Sequence, residues 1–281
     1  MTADRFAADL LRVTPGSAVR LVDVDTRSTP GTDGDKVTAA AQVDALGPQL
    51  ALLQEQLYAE GRTGGRRRVL VVLQGMDTSG KGGAVKRVAG LVNPAGLRIH
   101  GFGPPTPEEL AHDFLWRFEQ VLPPPGAIGF FDRSYYEDVL IVRVHNLVPQ
   151  AEWETRYDRI NAWEAKLAEQ GVVLLKVALH LSPEEQRTRL LARLDDPAKH
   201  WKINPSDIDE RGHWPAYQLA YQLLLERCST DVAPWHLVPA DRKWYRDYAL
   251  AHLLLETLQG MKLSWPTPEL DFEGMRAALH A

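Results

Sequence analysis

Residues suited to binding phosphate stand together in one stretch of the sequence. Positions 75–83 read GMDTSGKGG, follow an apolar run that begins at Val69, and lead at once into a helix-compatible run. A strand, a glycine-rich turn and a helix direct backbone N–H groups at an anion, and a lysine adds positive charge. The pattern predicts a phosphate-binding loop. Its members are Gly75, Met76, Thr78, Ser79, Gly80, Lys81, Gly82 and Gly83.

Two residues of this loop are unusual for a phosphate-binding loop. Gly82 stands where a hydroxyl normally helps to hold Mg²⁺, and Asp77 places an acid in a loop that attracts anions. That charge repels phosphate unless a metal or an arginine neutralises it. Asp77 could bind a metal, or it could accept hydrogen bonds from the phosphate that receives the transferred group or deprotonate it. The sequence leaves these roles open.

A second set of candidates follows the apolar run 127–131. Asp132 and Arg133 end this predicted strand, where an aspartate can reach phosphate-bound Mg²⁺ and an arginine can grip phosphoryl oxygens with its planar fork. Glu137 and Asp138 come shortly afterwards. We expect Lys81 and Arg133 to act in catalysis with Asp77 and Asp132, Glu137 to lie at the nucleotide or phosphate, and the metal to be held by Asp77, Asp132 and Asp138.

Basic residues recur in a segment at about 187–212, which we expect to be a lid. Arg189 and Arg193, four residues apart, share a helical face from which Arg187 points away. Acids are mixed among them, so a solvated surface is the alternative reading for any single residue. A lid that closes on phosphates would exclude water and favour transfer over hydrolysis. Its proposed phosphate ligands are Arg187, Arg193, Lys199, His200 and Lys202.

The elements that position these residues alternate between strand and helix. Strands are predicted near 69–74, 97–102, 127–131, 172–181 and 235–239. Helices are expected at 36–62 (with a break or a helix start at Gly47-Pro48), 82–92, 106 to about 122, 149–170, 182–194, 213–227 and 243–258. This alternation predicts an α/β fold with a mainly parallel sheet covered on both faces. In such sheets ligands collect at the carboxyl ends of the strands.

Three parts of the chain are expected. Residues 1–35 form an irregular lead-in, 36–262 one α/β domain that includes the lid, and 263–281 a loop-like tail. On the helix at 149–170, Trp153, Tyr157, Ile160 and Leu167 are expected to be core residues.

The composition sets limits on the class of protein. The 281 residues are 44% hydrophobic and 25% charged, the net charge is −5, and Cys228 is the single cysteine. No general basic character indicates nucleic acid, so any polyanion must bind in a locally basic groove. The sequence contains no long apolar run typical of a membrane span or a secretory signal. A cytoplasmic protein without a disulfide framework is the expectation.

Several motifs together resemble the polyphosphate kinase 2 family. They are GMDTSGKGG at 75–83, FDRSYYED at 131–138, KHWK at 199–202, APW at 233–235 and PADRK at 239–243. The resemblance spans roughly residues 40–260 with the motifs in order. It implies a P-loop kinase fold like that of thymidylate kinase, with a helical lid.

The resemblance also implies an activity. It is the Mg²⁺-dependent (alternatively Mn²⁺-dependent), reversible transfer of a terminal phosphate between inorganic polyphosphate and a nucleotide, by a homo-oligomer of two or four chains. Lys81 and the loop amides would hold the nucleotide's terminal phosphate, Asp77 would organise metal and acceptor, and Arg133 would clamp phosphates. The lid cations Arg187, Arg193, Lys199 and Lys202 would face the polyphosphate or the transferring group.

The run YYED at 135–138 resembles the branch that phosphorylates both nucleoside mono- and diphosphates. That branch often has Asn at the position of Asp132 and an acid at that of Gly83. Two alternatives remain: an ATP-dependent nucleoside monophosphate kinase, which Gly82 and Asp77 argue against, and a non-catalytic polyphosphate or nucleotide sensor. A sensor gains nothing from carboxylates that face phosphate.

Overall fold

Five strands form one parallel sheet in this computed structural model, which describes residues 8–280. They are β1 (Arg68–Gly75), β2 (Leu97–Gly101), β3 (Ile128–Asp132), β4 (Val172–His180) and β5 (Trp235–Pro239). Their order across the sheet is β2-β3-β1-β4-β5, with every pairing parallel. The five predicted strands and their parallel arrangement are confirmed.

Helices connect the strands. They are α1 (Lys36–Arg62), α2 (Lys81–Ala89), α3 (Pro107–Leu110), α4 (Trp116–Glu119), α5 (Ile141–Val144), α6 (Gln150–Glu169), α7 (Pro183–Leu194), α8 (Ser206–Gly212), α9 (Trp214–Cys228), α10 (Lys243–Gly260) and α11 (Phe272–His280). Two 3₁₀ helices, Tyr135–Val139 and Pro197–Lys202, lie near the predicted functional residues.

The sheet lies between two helical layers. Alternate residues of β1 point to opposite faces, as the period of a strand requires. Val69, Val71 and Leu73 join the core formed with α1, α2 and α10, whereas Leu70 and Val72 join the core formed with α4, α6 and α9. Both faces of β1 are thus buried, which explains its continuous apolar run. The four core residues predicted on α6 are buried.

The predicted N-terminal lead-in follows the edge strand in its described part. The N–H of Leu237 donates to the carbonyl of Leu11 at 2.8 Å, and that of Val13 donates to the carbonyl of Trp235 at 2.8 Å. The lead-in thereby covers the open edge of β5, which would otherwise present unpaired backbone groups. Residues 1–7 of the lead-in and residue 281 of the tail lie outside the described residues. No helix between residues 8 and 280 is long and apolar enough to cross a membrane.

The expected break at Gly47-Pro48 is wrong. α1 continues through Pro48 although proline removes one intrahelical hydrogen bond, at a cost of about 3 kcal/mol. Val43 and Leu50, on either side of the proline, are both buried in the core that α1 shares with α10. This burial holds the two halves of the helix in line.

The helix predicted from residue 106 to about 122 is also wrong in its length. Its capping box is present: the N–H of Thr106 donates to Glu109 Oε2, and the N–H of Glu109 donates to Thr106 Oγ1. α3 nevertheless ends at Leu110, and α4 is separate. The Asp113 carboxylate accepts the N–H of Leu115 at 3.0 Å, a local bond that competes with a continuous helix.

Helices also occur outside the segments of clear periodicity. The segment 195–212, within the lid, holds the 3₁₀ helix Pro197–Lys202 and α8, and the tail, which was expected to be a loop, contains α11. The Asp271 carboxylate accepts the N–H of Gly274 at 2.9 Å near the start of α11. Such an N-terminal bond supports a short helix that hydrophobic periodicity alone did not reveal.

Candidate active site

The predicted phosphate loop joins β1 to α2. Lys81 Nζ donates to the carbonyl of Gly75 at 2.7 Å and so closes the loop on itself. Burial and then the charge of Arg133 lower the pKa of Lys81, while Asp132, Asp77 and Glu137 oppose that shift. The N–H groups in the first turn of α2 have no partners within the helix. A lysine and a row of amides are thus available to one anion.

A glycine is required at the turn into α2. Gly80 has φ of +98°, a left-handed conformation that disfavours other residues. A Cβ atom there would lie 1.7 Å from Nη1 of Arg246, which belongs to α10. The loop therefore has the guanidinium of Arg246 packed directly behind it.

Asp132 and Arg133 meet the phosphate loop because β3 lies next to β1. Arg133 Nη2 donates to Asp77 Oδ1 at 2.7 Å. This ion pair neutralises the Asp77 carboxylate, which would otherwise repel phosphate from the loop. Burial lowers the pKa of Arg133, but Glu137 and Asp77 outweigh it and raise the pKa overall. Arg133 has φ of +66°, a strained conformation of a kind that clusters at functional sites.

Glu137 completes a compact group of charges. Burial raises the pKa of its carboxyl, while Arg133 and Lys81 lower it and Asp77 raises it further. The charges that shift the pKa values of Lys81, Arg133 and Glu137 come from one another and from Asp77 and Asp132, so these five predicted residues lie close together. Cations and carboxylates thus alternate at the carboxyl edge of the sheet.

The donors for a metal are fewer than predicted. Within residues 8–280 no three His, Cys, Asp or Glu side chains are grouped so as to hold a metal ion. Asp132 Oδ2 lies 3.5 Å from where a Cβ of residue 82 would stand, so a carboxylate approaches the position of the missing hydroxyl. Thr78 Oγ1 and Ser79 Oγ are buried without hydrogen-bond partners. Asp77, Asp132 and these hydroxyls suit a metal whose remaining ligands come from phosphate and water.

Asp138 does not join the other two aspartates in such a group. Its carboxylate pairs with Arg156 of α6, Nη1 to Oδ1 at 2.5 Å. Burial raises the pKa of Asp138 to about 7 against the opposing effect of Arg156. The 3₁₀ helix Tyr135–Val139 turns Asp138 toward α6, and a short irregular element has no period from which this direction could have been predicted.

A cavity of about 540 Å³ opens beside Arg133. Its wall includes the aromatic rings of Phe102, Phe114 and Phe118. The guanidinium of Arg117 lies 5.3 Å from the centre of the Phe102 ring, and that of Arg156 lies 4.9 Å from the Phe114 ring. Its size and mixture of aromatic and charged groups are those of a small-molecule site.

The predicted lid residues form contacts among themselves. Arg193 Nη1 donates to the carbonyl of Lys202 at 2.9 Å and lies 3.6 Å from the Asp207 carboxylate. Lys199 pairs with Asp196 at 2.7 Å, and a ring nitrogen of His200 lies 2.9 Å from the carbonyl of Leu194. Arg187 is exposed on α7. The lid cations are thus grouped on one segment.

Sequence reasoning missed the residues that support the loop from behind. Arg189, on α7, donates to the carbonyls of Thr78 and Ser79. Gln186 donates to the carbonyl of Asp77 at 3.1 Å. The only hint was the four-residue spacing of Arg189 and Arg193, since the loop carbonyls that Arg189 contacts lie 111 and 110 positions away.

Comparisons with known proteins agree with this geometry. The family model described as Polyphosphate kinase 2 (PPK2) matches residues 33–266. An AMP/ADP-polyphosphate phosphotransferase of Meiothermus ruber is 45% identical over 262 residues, which are 93% of this chain and 97% of that protein. An ADP-polyphosphate phosphotransferase of Rhodopseudomonas palustris is 41% identical and covers 78% of each chain.

A crystal structure of polyphosphate kinase 2 from Arthrobacter aurescens TC1 has the same fold. It superposes with a TM-score of 0.93 at 49% identity and covers 97% of this chain and 96% of that one. The chain belongs to the polyphosphate kinase 2 family.

Proposed function

We propose that this protein transfers the terminal phosphate of inorganic polyphosphate to a nucleoside mono- or diphosphate, in a reversible reaction. The observation that carries the proposal is the Asp77–Arg133 ion pair at 2.7 Å inside the phosphate loop. It brings a carboxylate to a site where two phosphorylated substrates meet. The family membership and the names of the relatives support the same activity.

The residues of the loop would stabilise the charge of the transferring group. Lys81 and the amides of residues 80–83 bind phosphate oxygens, and Arg133 grips the group from the end of β3. A phosphate oxygen of the acceptor bonds to the terminal phosphorus of polyphosphate as the bond from that phosphorus to the bridging oxygen breaks. The shortened polyphosphate leaves with the bridging oxygen. Such a transfer needs positioning and charge neutralisation more than covalent catalysis.

The acceptor nucleoside would occupy the 540 Å³ cavity, since Arg133 lines both this cavity and the loop. A base among Phe102, Phe114 and Phe118 would leave its phosphates directed at Arg133. Glu137, also in the cavity wall, would contact the nucleotide. The polyphosphate would approach from the lid, where Arg187, Arg193, Lys199, His200 and Lys202 supply positive charge and help to exclude water.

Mg²⁺ is the metal that this donor set suits best, with Mn²⁺ as the alternative. Mg²⁺ usually binds one or two carboxylates together with substrate phosphates and water. Asp77 and Asp132 would supply the carboxylates, whereas Asp138 is engaged by Arg156. When bound, the metal would neutralise phosphate charge. A cytoplasmic location, a dimer or tetramer, and the division into a lead-in, one α/β domain with its lid, and a tail remain predictions.

One assay separates the proposed function from its alternatives. Purified protein is mixed with ADP or AMP, Mg²⁺ and long-chain polyphosphate, without ATP, and Lys81→Met serves as the inactive control. ATP or ADP should form. Turnover only with ATP and a monophosphate would select a nucleoside monophosphate kinase instead, and binding without any turnover would select a sensor.

A further inference from the structure

Arg189 is a buried cation that the proposed chemistry does not use directly. Its side chain projects from the middle of α7, and the residue is 7% exposed. A guanidinium has five N–H donors, and here all five have acceptors. Nε donates to Glu185 Oε1 at 2.8 Å, and the other four contacts are to backbone carbonyls.

These four carbonyls belong to two separate segments. Nη1 donates to Thr78 O at 2.9 Å and to Ser79 O at 3.0 Å, both in the phosphate loop. Nη2 donates to Ala240 O at 2.7 Å and to Asp241 O at 2.9 Å, in the turn between β5 and α10. One planar group thus joins α7, the phosphate loop and that turn.

The orientation of the carbonyls determines where the loop amides point. In a trans peptide the C=O and N–H bonds point in opposite directions, so the N–H of Gly80 points away from Arg189 when Ser79 O is bound to it. Gly80 is the residue that precedes the first turn of α2. A cation on the carbonyl side also polarises the peptide, which makes its N–H a stronger donor.

Two neighbouring residues reinforce this support. Gln186, one turn before Arg189 on the same face of α7, donates to Asp77 O and accepts from Arg211 Nη1 at 2.7 Å. Arg246 lies behind Gly80 and is held by the carboxylate of Asp247 at 2.6 Å. The back of the loop is therefore lined by two buried guanidinium groups.

We propose that Arg189 is a positioning residue for phosphate transfer. It fixes the carbonyls of Thr78 and Ser79 so that the Gly80 amide faces the phosphates, and it ties the loop to α7, the helix in which the lid begins. This inference rests on the proposed function for its kinetic consequences, but its effect on anion binding can be measured separately.

Two substitutions separate the geometry of the fork from its charge. Arg189→Lys keeps the charge and loses the five-donor fork, and Arg189→Met keeps only the apolar stem. Arg66→Lys and Arg66→Met are the matched controls, because Arg66 is exposed at the opposite end of β1. The measurements are kcat, the KM for each substrate, the melting temperature, and the calorimetric Kd for tripolyphosphate with Mg²⁺.

Both Arg189 variants should lose kcat by about 10- to 100-fold, because a misplaced loop reduces alignment of the reacting groups. The Kd for tripolyphosphate should rise about tenfold, as expected when charge-assisted hydrogen bonds at the loop weaken. The KM for the nucleotide should rise less than the Kd for tripolyphosphate, because the nucleoside part would be held by the cavity walls, which include Phe102, Phe114 and Phe118, and not by the loop. The Arg66 variants should match the unaltered enzyme.

Three outcomes would overturn the proposal. They are unchanged kcat and tripolyphosphate binding in folded Arg189→Met, a lower melting temperature as its only effect, and full activity in Arg189→Lys, which would mean that charge alone matters. If Arg189→Met does not fold, the single variants Gln186→Met and Arg189→Lys replace it in the test. A wild-type kcat in both of them would contradict the proposal. An unaltered protein that binds tripolyphosphate without transferring phosphate would refute the proposed function, while the binding comparison would still test Arg189.

Discussion

Arg133 and Asp77, 56 positions apart in the chain, form an ion pair at 2.7 Å across the phosphate loop. Each comes from the end of a neighbouring strand, Asp77 after β1 and Arg133 after β3. The pair leaves the loop with less negative charge than its sequence suggests, so that phosphate can approach Lys81. It also holds a carboxylate in place beside the groups that bind phosphate.

Replacing Asp77 should therefore affect catalysis far more than folding. In Asp77→Asn we expect polyphosphate-dependent turnover to fall on the order of 100-fold, because the carboxylate that aligns metal and acceptor is gone. Stability should change by only about 0–1 kcal/mol, since both side chains are roughly one-third exposed and water screens the pair.

Asp44→Asn is the control for the Asp77 variant, because it removes an ion pair with Arg87 outside the site. Steady-state turnover and urea unfolding measure the two effects. Near-normal turnover in Asp77→Asn would remove Asp77 from the mechanism.

Gly80 offers a test of the guanidinium behind the loop. Gly80→Ala would place a Cβ 1.7 Å from Arg246 at φ of +98°, whereas Gly64→Ala has a similar φ of +95° with nothing within 4 Å. The Gly64 variant should lose about 1–2 kcal/mol of stability, which is the cost of a residue with a Cβ in a left-handed backbone conformation. The Gly80 variant should lose a further 1–3 kcal/mol or so from overpacking, together with most of its activity. Stability is measured by chemical unfolding and activity by turnover. If the two variants lose equal stability and equal activity, the Arg246 side chain can move aside without affecting the loop.

A buried charge network supports the 3₁₀ helix that follows Arg133. Lys176 Nζ donates to Glu164 Oε2 at 2.6 Å, and the hydroxyls of Tyr135 and Tyr136 both donate to Glu164 Oε1. Lys176→Met leaves the Glu164 carboxylate without its buried cation and should cost about 3–5 kcal/mol.

Adding Glu164→Gln should recover part of that loss, because the amide oxygen can still accept from both tyrosines. Arg20→Met, which breaks an exposed pair with Asp23, should cost at most about 1 kcal/mol. Urea denaturation of the three variants provides the comparison. If Lys176→Met with Glu164→Gln is no more stable than Lys176→Met alone, the loss in Lys176→Met does not come from the unpaired charge of Glu164.

Asp138 predicts a pH dependence of stability. Burial raises the pKa of its carboxyl from 3.8 to about 7, although Arg156 acts in the opposite direction. Between these values the folded chain keeps a proton that the unfolded chain has released, so this contribution to stability is complete below about pH 4 and is lost as the pH rises to about 7. An asparagine side chain does not titrate in this range, so the stability of Asp138→Asn lacks this pH-dependent contribution.

The difference in unfolding free energy between the wild type and Asp138→Asn, measured from pH 4 to 8, should therefore shift in favour of the variant as the pH rises. It should level off above about pH 7. A difference that stays constant over this range would mean that Asp138 is already ionised in the folded protein, held by Arg156.

The sequence was informative wherever the relevant residues are contiguous or follow a strand. Strand, loop and helix at 69–89 and the Asp132-Arg133 pair after β3 could be predicted because the carboxyl ends of parallel strands meet at one edge. That reasoning anticipated a cation to neutralise Asp77. It did not predict the course of α1 through Pro48 or the length of α3, where packing and a side-chain bond override local preference.

The sequence by itself thus determined the sheet and the phosphate loop, and its family motifs predicted the chemistry, because strands and binding loops have regular, local signatures. Only the tertiary structure decided that Asp138 pairs with Arg156, away from the proposed metal. It alone brought Arg189 and Arg246 beneath the loop. The physical reason is that these contacts join distant segments, and those of Arg189 reach backbone carbonyls, which every residue possesses and no sequence pattern distinguishes.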